Sequence, residues 1–175
     1  MKKIKLSMNA SPWAGREIRC PFSLIDAVFD FGQPEYYKDT LNELVTFMFK
    51  PKIYHKKSPD HTFIFFAVLH SLLRAAYVIH CKSGQYKIKA PKKGSIKLCY
   101  GSLNRKEFQN PLIVFKNVYA CKSLEGLNLA LFEMVSYALN PFSDYPTWDL
   151  ITPYIHLCKI LDASWQIHQR RIETN

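Results

Sequence analysis

Residues 60–82 read DHTFIFFAVLHSLLRAAYVIHCK and form the longest apolar run in the chain. Ser58 and Pro59 precede this run, and a serine N-cap followed by proline at the first helical position is a helix start signal. A long run with so few polar residues is typical of a helix that is buried on most sides. The stretch therefore predicts a central helix at about 60–82, around which the rest of the chain packs.

Apolar residues at helical spacing predict further helices on both sides of this stretch. The patterns cover residues 23–31, 34–50, 124–139 and 152–171. Residues 104–119 suit either a helix or a strand, because a proline interrupts them and a β-branched apolar run follows it. We favour a helix there.

The period changes after the central stretch. Tyr86, Ile88 and Ala90 alternate with lysines, and a second alternating run at 96–100 follows a turn that contains proline and glycine. This pattern predicts a small β-hairpin insertion at about 85–100. Residues 1–20 lack helical periodicity and are expected to form an N-terminal arm, with Trp13 as a docking anchor. The expected architecture is mainly α: a single helical domain at 21–175, with five to six helices.

Composition indicates a packed globular protein, since 48% of the residues are hydrophobic. The five cysteines are scattered and form no C-x-x-C pair. They indicate reduced thiols in a cytoplasmic protein, and the basic N-terminus is not followed by the apolar region of an export signal. The histidines show no metal-ligand spacing, and the sequence contains no phosphate-cradling glycine motif. We expect no metal and no cofactor.

A membrane span is an alternative interpretation of the central stretch because its length suffices to cross a bilayer. His70 and Arg74 lie near its middle, however, and a central arginine costs about 2.5–3.5 kcal/mol on insertion scales. Lysines flank both ends, so no charge asymmetry supports an orientation. We therefore favour a buried helix.

The net charge of +10 is concentrated in residues 82–106, which hold eight Lys or Arg and no acid. Such a segment favours an anionic partner, either nucleic acid or an acidic protein. The expected anion-binding residues are Lys87, Lys89, Lys92, Lys93, Lys97, Arg105 and Lys106. The competing interpretation is that the lysines protect an exposed strand edge from aggregation.

His70, Arg74 and Tyr77 fall in one polar stripe of the predicted central helix. The simpler interpretation is a solvent-facing side of a helix that is buried elsewhere. The functional interpretation is that Arg74 binds a phosphate or carboxylate while His70 exchanges protons near neutral pH.

Arg74 and His80, in LLRAAYVIH, form a second pattern, an arginine followed six positions later by a histidine. This pattern resembles the R-x4-6-H motif of the HEPN superfamily, small all-helical domains of which many are metal-independent ribonucleases that act as dimers. The resemblance implies that Arg74 binds phosphate, that His80 is the catalytic base and that the chain forms a homodimer. Ala75 departs from the polar residue that often follows the arginine. On a straight helix, Arg74 and His80 also point about 120° apart.

These observations favour a binding module over an enzyme. The expected function is binding of an anionic partner, most plausibly nucleic acid, through residues 82–106. One alternative is a HEPN-like ribonuclease that uses Arg74 and His80, with His70 as a further candidate catalytic residue. The other is a structural or protein-interaction domain.

Overall fold

The structure is a computed structural model that describes residues 11–55, 57–91, 101–140, 148–170 and 172–174. These residues are mainly helical, as the sequence predicts. In chain order the elements are α1 (Ser11–Ala14), α2 (Pro21–Phe31), α3 (Pro34–Met48), α4 (Pro59–Cys81), a 3₁₀ turn (Ser83–Gln85), β1 (Tyr86–Ile88), α5 (Arg105–Gln109), α6 (Leu112–Cys121), α7 (Leu124–Leu139), α8 (Ile151–Arg170) and β2 (Ile172–Thr174).

Helix α4 is the centre of the fold, as predicted. It contacts α1, α2, α6, α7 and α8. Phe65, Leu69, Leu72 and Ala76 are each no more than 1% exposed, so they form the middle of the core. In the described part of the chain, α4 is the one helix long and apolar enough to cross a membrane. Yet 56% of its most apolar window is buried inside the protein, as expected for a core helix.

The ambiguous residues 104–119 are helical and form α5 and α6. Asn104 caps α5 by accepting hydrogen bonds from the amides of Lys106 and Glu107, and the Glu107 carboxylate accepts from the Asn104 amide at 2.8 Å. This reciprocal arrangement is a capping box. Pro111 lies between the two helices, where it removes no hydrogen bond from the interior of either.

The predicted hairpin is not supported. Its first arm forms β1, but β1 pairs antiparallel with β2 at the other end of the chain, so that Ile88 lies opposite Ile172. The second arm at 96–100 lies outside the described residues. Alternation can predict that a segment is extended, but it does not identify a partner that is distant in sequence.

Trp13 docks as the sequence predicts, although it does so from a single helical turn, α1. Its indole N–H donates to Ser71 Oγ of α4 at 3.1 Å, and its ring packs edge-on against Phe31 at 6.2 Å. The short N-terminal helix is therefore fastened to the central helix. The first ten residues of the predicted arm lie outside the described residues.

Candidate functional site

The fold brings the two ends of the basic segment to the C-terminal end of α8. Helix α8 ends at Arg170, and β2 follows at Ile172, paired with Ile88 of β1. The Arg170 guanidinium lies 4.4 Å from the Phe108 ring centroid of α5 and donates to the Gln109 carbonyl at 3.3 Å. Strand β1 and helix α5 therefore flank the same helix end. We call this region the basic end; it carries Lys82, Lys87, Lys89, Arg105, Lys106 and Arg170.

Four of the predicted anion-binding residues are exposed at the basic end: Lys87, Lys89, Arg105 and Lys106. None of the four makes an ion pair with another side chain in the described ranges. Arg105 and Lys106 are the first two residues of α5, a helix of five residues. In the strand register Lys87 stands opposite Glu173.

Two acidic side chains near this surface, Glu107 and Asp26, are engaged by side chains of α8. Glu107 is 3% exposed, and its two carboxylate oxygens accept from Lys159 Nζ at 2.7 and 3.0 Å. Asp26 accepts from His168 Nδ1 at 2.7 Å. Because Glu107 points inward to Lys159, it leaves the charges of Arg105 and Lys106 uncompensated at the surface.

Asp162 anchors the chain where it enters α5. Its carboxylate accepts from Lys38 Nζ at 2.8 Å and from both the amide and the hydroxyl of Ser102 at 2.7 Å. Gly101 has φ of 57°, and a Cβ at that position would collide with Asp162 Oδ2. The end of the basic segment is thus held against α8 by a buried carboxylate.

Three of the predicted anion-binding residues, Lys92, Lys93 and Lys97, lie outside the described residues. Tyr86, which could have stacked on a base, instead packs edge-on against Phe22 at 4.9 Å between ring centroids. The ring is partly buried by this contact. Tyr86 is therefore engaged within the protein and does not present its ring for stacking. A partner would instead be attracted to this surface by its positive charge.

The polar stripe of α4 lies at the protein surface and is half-buried. His70 stacks on Phe66 with 5.9 Å between ring centroids. Burial, and secondarily the charge of Arg74, lower the pKa of His70 below its ordinary value. Arg74 makes no hydrogen bond or salt bridge with the described part of the chain. His70 and Arg74, four residues apart on α4, thus lie next to each other on one side of the helix.

His80 lies in a different environment from Arg74. Helix α4 continues without interruption through both residues, which keeps them on different sides of the helix. The His80 ring packs against Tyr77 and Tyr119, at 6.2 and 5.5 Å between centroids, and its Nδ1 is buried without a hydrogen-bond partner. Within one chain, the pair that resembles the ribonuclease motif does not form a common site.

Sequence reasoning missed the residues that position the basic end, namely Asp162, Ser102, Lys38 and Lys159. One local signal was present, since Asn104 followed by Glu107 has the spacing of a capping box. That signal predicts the start of α5. The partners of Asp162 are 60 and 124 residues away in sequence, and no local pattern indicates them.

The depressed pKa of His70 predicts that acidification destabilises the protein through this residue. The folded protein binds a proton at His70 less readily than the unfolded chain, so stability falls as the pH drops below about 6.5. We expect wild-type protein to lose more stability than His70→Gln between about pH 7 and about pH 5 in urea titrations. His55→Gln, at an exposed histidine, is the control. Parallel losses in wild type and His70→Gln would contradict the assignment.

The chain matches no protein-family model, no curated protein and no solved structure.

Proposed function

We propose that this protein is a cytoplasmic binding protein whose basic end engages nucleic acid. The observation that carries the proposal is that β1, through its pairing with β2, and α5 both adjoin the C-terminal end of α8, and that both carry exposed cations. Phosphate groups are the partners that such surfaces attract, because binding releases condensed counterions. The four described cysteines are free thiols, which agrees with a reducing compartment.

The anchoring of this surface supports binding over a solubilising role. Lysines that only protect a strand edge need no fixed position. Here Ser102, in the segment that precedes α5, is hydrogen-bonded to Asp162 of α8. Glu107 of α5 is paired with Lys159 of α8. These two contacts fix the backbone that carries Arg105 and Lys106. A surface whose cations sit on a fixed backbone loses less conformational freedom when it binds.

Replacing the two cations of α5 tests the proposal. We expect Arg105→Ala/Lys106→Ala to weaken binding of a single-stranded RNA at least about tenfold at roughly 0.1 M salt, measured by fluorescence anisotropy. The matched control is Lys50→Ala/Lys52→Ala, which also removes two charges. It removes them from the segment between α3 and α4, which enters α4 at the end opposite to Lys82.

Equal weakening by the two variants would contradict a defined basic surface and leave only non-specific attraction. The RNA is inspected for cleavage after each titration. Metal-independent cleavage that is lost in His80→Ala would favour the ribonuclease alternative instead. That alternative has less support, because Arg74 and His80 would have to meet across two copies of the chain.

A further inference from the structure

A second surface, formed by α4 and α7, is unlike the basic end. Phe63 on α4 is 68% exposed, and Leu129 and Phe132 on α7 are 54% and 56% exposed. Isolated exposed apolar residues are ordinary, but a contiguous group marks an interaction site. We call this surface the α4–α7 face; it consists of Phe63, Phe66, His70 and Arg74 on α4 and of Leu129 and Phe132 on α7.

The two helices of the α4–α7 face pack against each other. On α4 the residues of the face follow a spacing of three or four residues, which places them on one side of the helix. Phe66 packs edge-on against Phe132 at 6.3 Å between ring centroids, which joins the two helices. Glu125 lies near Tyr77 while Phe132 lies near Phe66, so α7 runs antiparallel to α4. Two adjacent helices thus present aromatic and aliphatic side chains side by side.

Arg74 gives this apolar face its chemical selectivity. It lies about 16 Å along α4 from Phe63, on the same side of the helix. Arg74 as a residue is partly buried, it makes no hydrogen bond or salt bridge within the described residues, and Glu125 on α7 does not pair with it. An arginine with unused donors beside an apolar surface favours a carboxylate partner.

We infer that the α4–α7 face binds an amphipathic helical segment of a partner protein that carries an acidic residue two or three turns from its apolar anchors. The apolar side chains of such a segment would cover Phe63, Leu129 and Phe132, in the helix-in-groove mode of recognition. Its carboxylate would pair with Arg74. The half-buried imidazole of His70, between the two, offers a further hydrogen-bonding group.

A second copy of this chain fits the face less well. A two-fold axis that brought Arg74 of each copy to Glu125 of the other would lie beside those two residues. Phe63 and Phe132 lie toward the other end of the face, so they would remain uncovered. An axis centred on the aromatic residues would instead leave both arginines without an acid. Charge complementarity therefore favours a different, acidic partner.

The test is a selection from a displayed library of random peptides, about 16 residues long, against the full chain. Selections on wild-type protein and on Phe132→Ser are run in parallel. Peptides enriched on both, such as those that bind the basic end, are discarded. We expect peptides enriched only on wild type to combine an apolar helical stripe with Asp or Glu. On Arg74→Glu the same selection is expected to enrich Lys or Arg in place of the acid.

One enriched peptide is then titrated against variants. We expect Arg74→Glu to weaken its binding about three- to tenfold, and a peptide with lysine for its acid to regain affinity for that variant. Ile151→Ser, which alters an apolar side chain that is 53% exposed on α8, is the control for surface hydrophobicity and is expected to have no effect.

Three outcomes would overturn the inference. The first is a selection in which no peptides are enriched on wild type relative to Phe132→Ser, or in which the peptides selected on Arg74→Glu still carry Asp or Glu. The second is self-association in sedimentation equilibrium that Phe132→Ser abolishes, which would make the occupant a second copy. The third is binding to phosphatidylcholine vesicles that Phe132→Ser abolishes, which would make the face a membrane contact. None of these results bears on RNA binding at the basic end.

Discussion

Asp162→Ala is expected to lower the free energy of unfolding by about 3 kcal/mol. The carboxylate is buried and serves three donors, so its removal leaves the amide and hydroxyl of Ser102 and the ammonium of Lys38 without their acceptor. The Lys38 side chain is 29% exposed and can regain some hydration, which places the effect at the lower end for a broken buried pair. Urea denaturation measures it.

Asp30→Ala, at an exposed aspartate of α2, is the control and should change stability by less than about 0.5 kcal/mol. A second comparison isolates the local geometry. Gly101→Ala should be costly in the wild-type background, because the added Cβ meets Asp162 at a positive φ. In the Asp162→Ala background the collision is gone, and only about 1 kcal/mol of backbone strain remains. Equal costs in both backgrounds would show that the loop does not contact Asp162.

Leu72→Ala is expected to destabilise the protein by about 3 kcal/mol. Leu72 is 1% exposed in the middle of α4, so its truncation both removes buried apolar surface and leaves a cavity among the surrounding helices. Thermal or urea unfolding followed by circular dichroism gives the difference.

Phe63→Ala on the same helix provides the contrast. Its ring is 68% exposed, and we expect its removal to change stability by less than about 0.5 kcal/mol. A small loss at Leu72, or comparable losses at the two positions, would mean that α4 is not the core helix that the fold requires.

The four longest helices and α2 were predictable from sequence because their signals are local. Ser58 and Pro59 mark the start of α4, and α4 then begins at Pro59 and ends at Cys81. The last helix begins slightly earlier than the Thr152-Pro153 signal suggested, because Asp149 accepts hydrogen bonds from the amides of Ile151 and Thr152. Asp149 was not recognised as a capping residue, because the Thr152-Pro153 pair offered a stronger start signal three residues later.

Pairings between distant residues were not predictable. The strand at Tyr86–Ile88 was expected, but its partner lies at the C-terminus, because the path of α8 decides which strand reaches β1. The polar stripe of α4 was recognised as a face, yet nothing in the sequence placed Leu129 and Phe132 beside it. That arrangement depends on α7 packing antiparallel to α4. The basic segment was recognised by composition alone, and its anchoring by Asp162 required the fold.

We propose that the basic end binds nucleic acid through its exposed cations. The most direct test is the salt dependence of RNA affinity for wild type, Arg105→Ala/Lys106→Ala and Lys50→Ala/Lys52→Ala. We expect the slope of log affinity against log salt concentration to be about 2 units shallower for the α5 variant. The control slope should equal that of wild type. Identical slopes for all three proteins, or an affinity that does not fall with added salt, would contradict the claim.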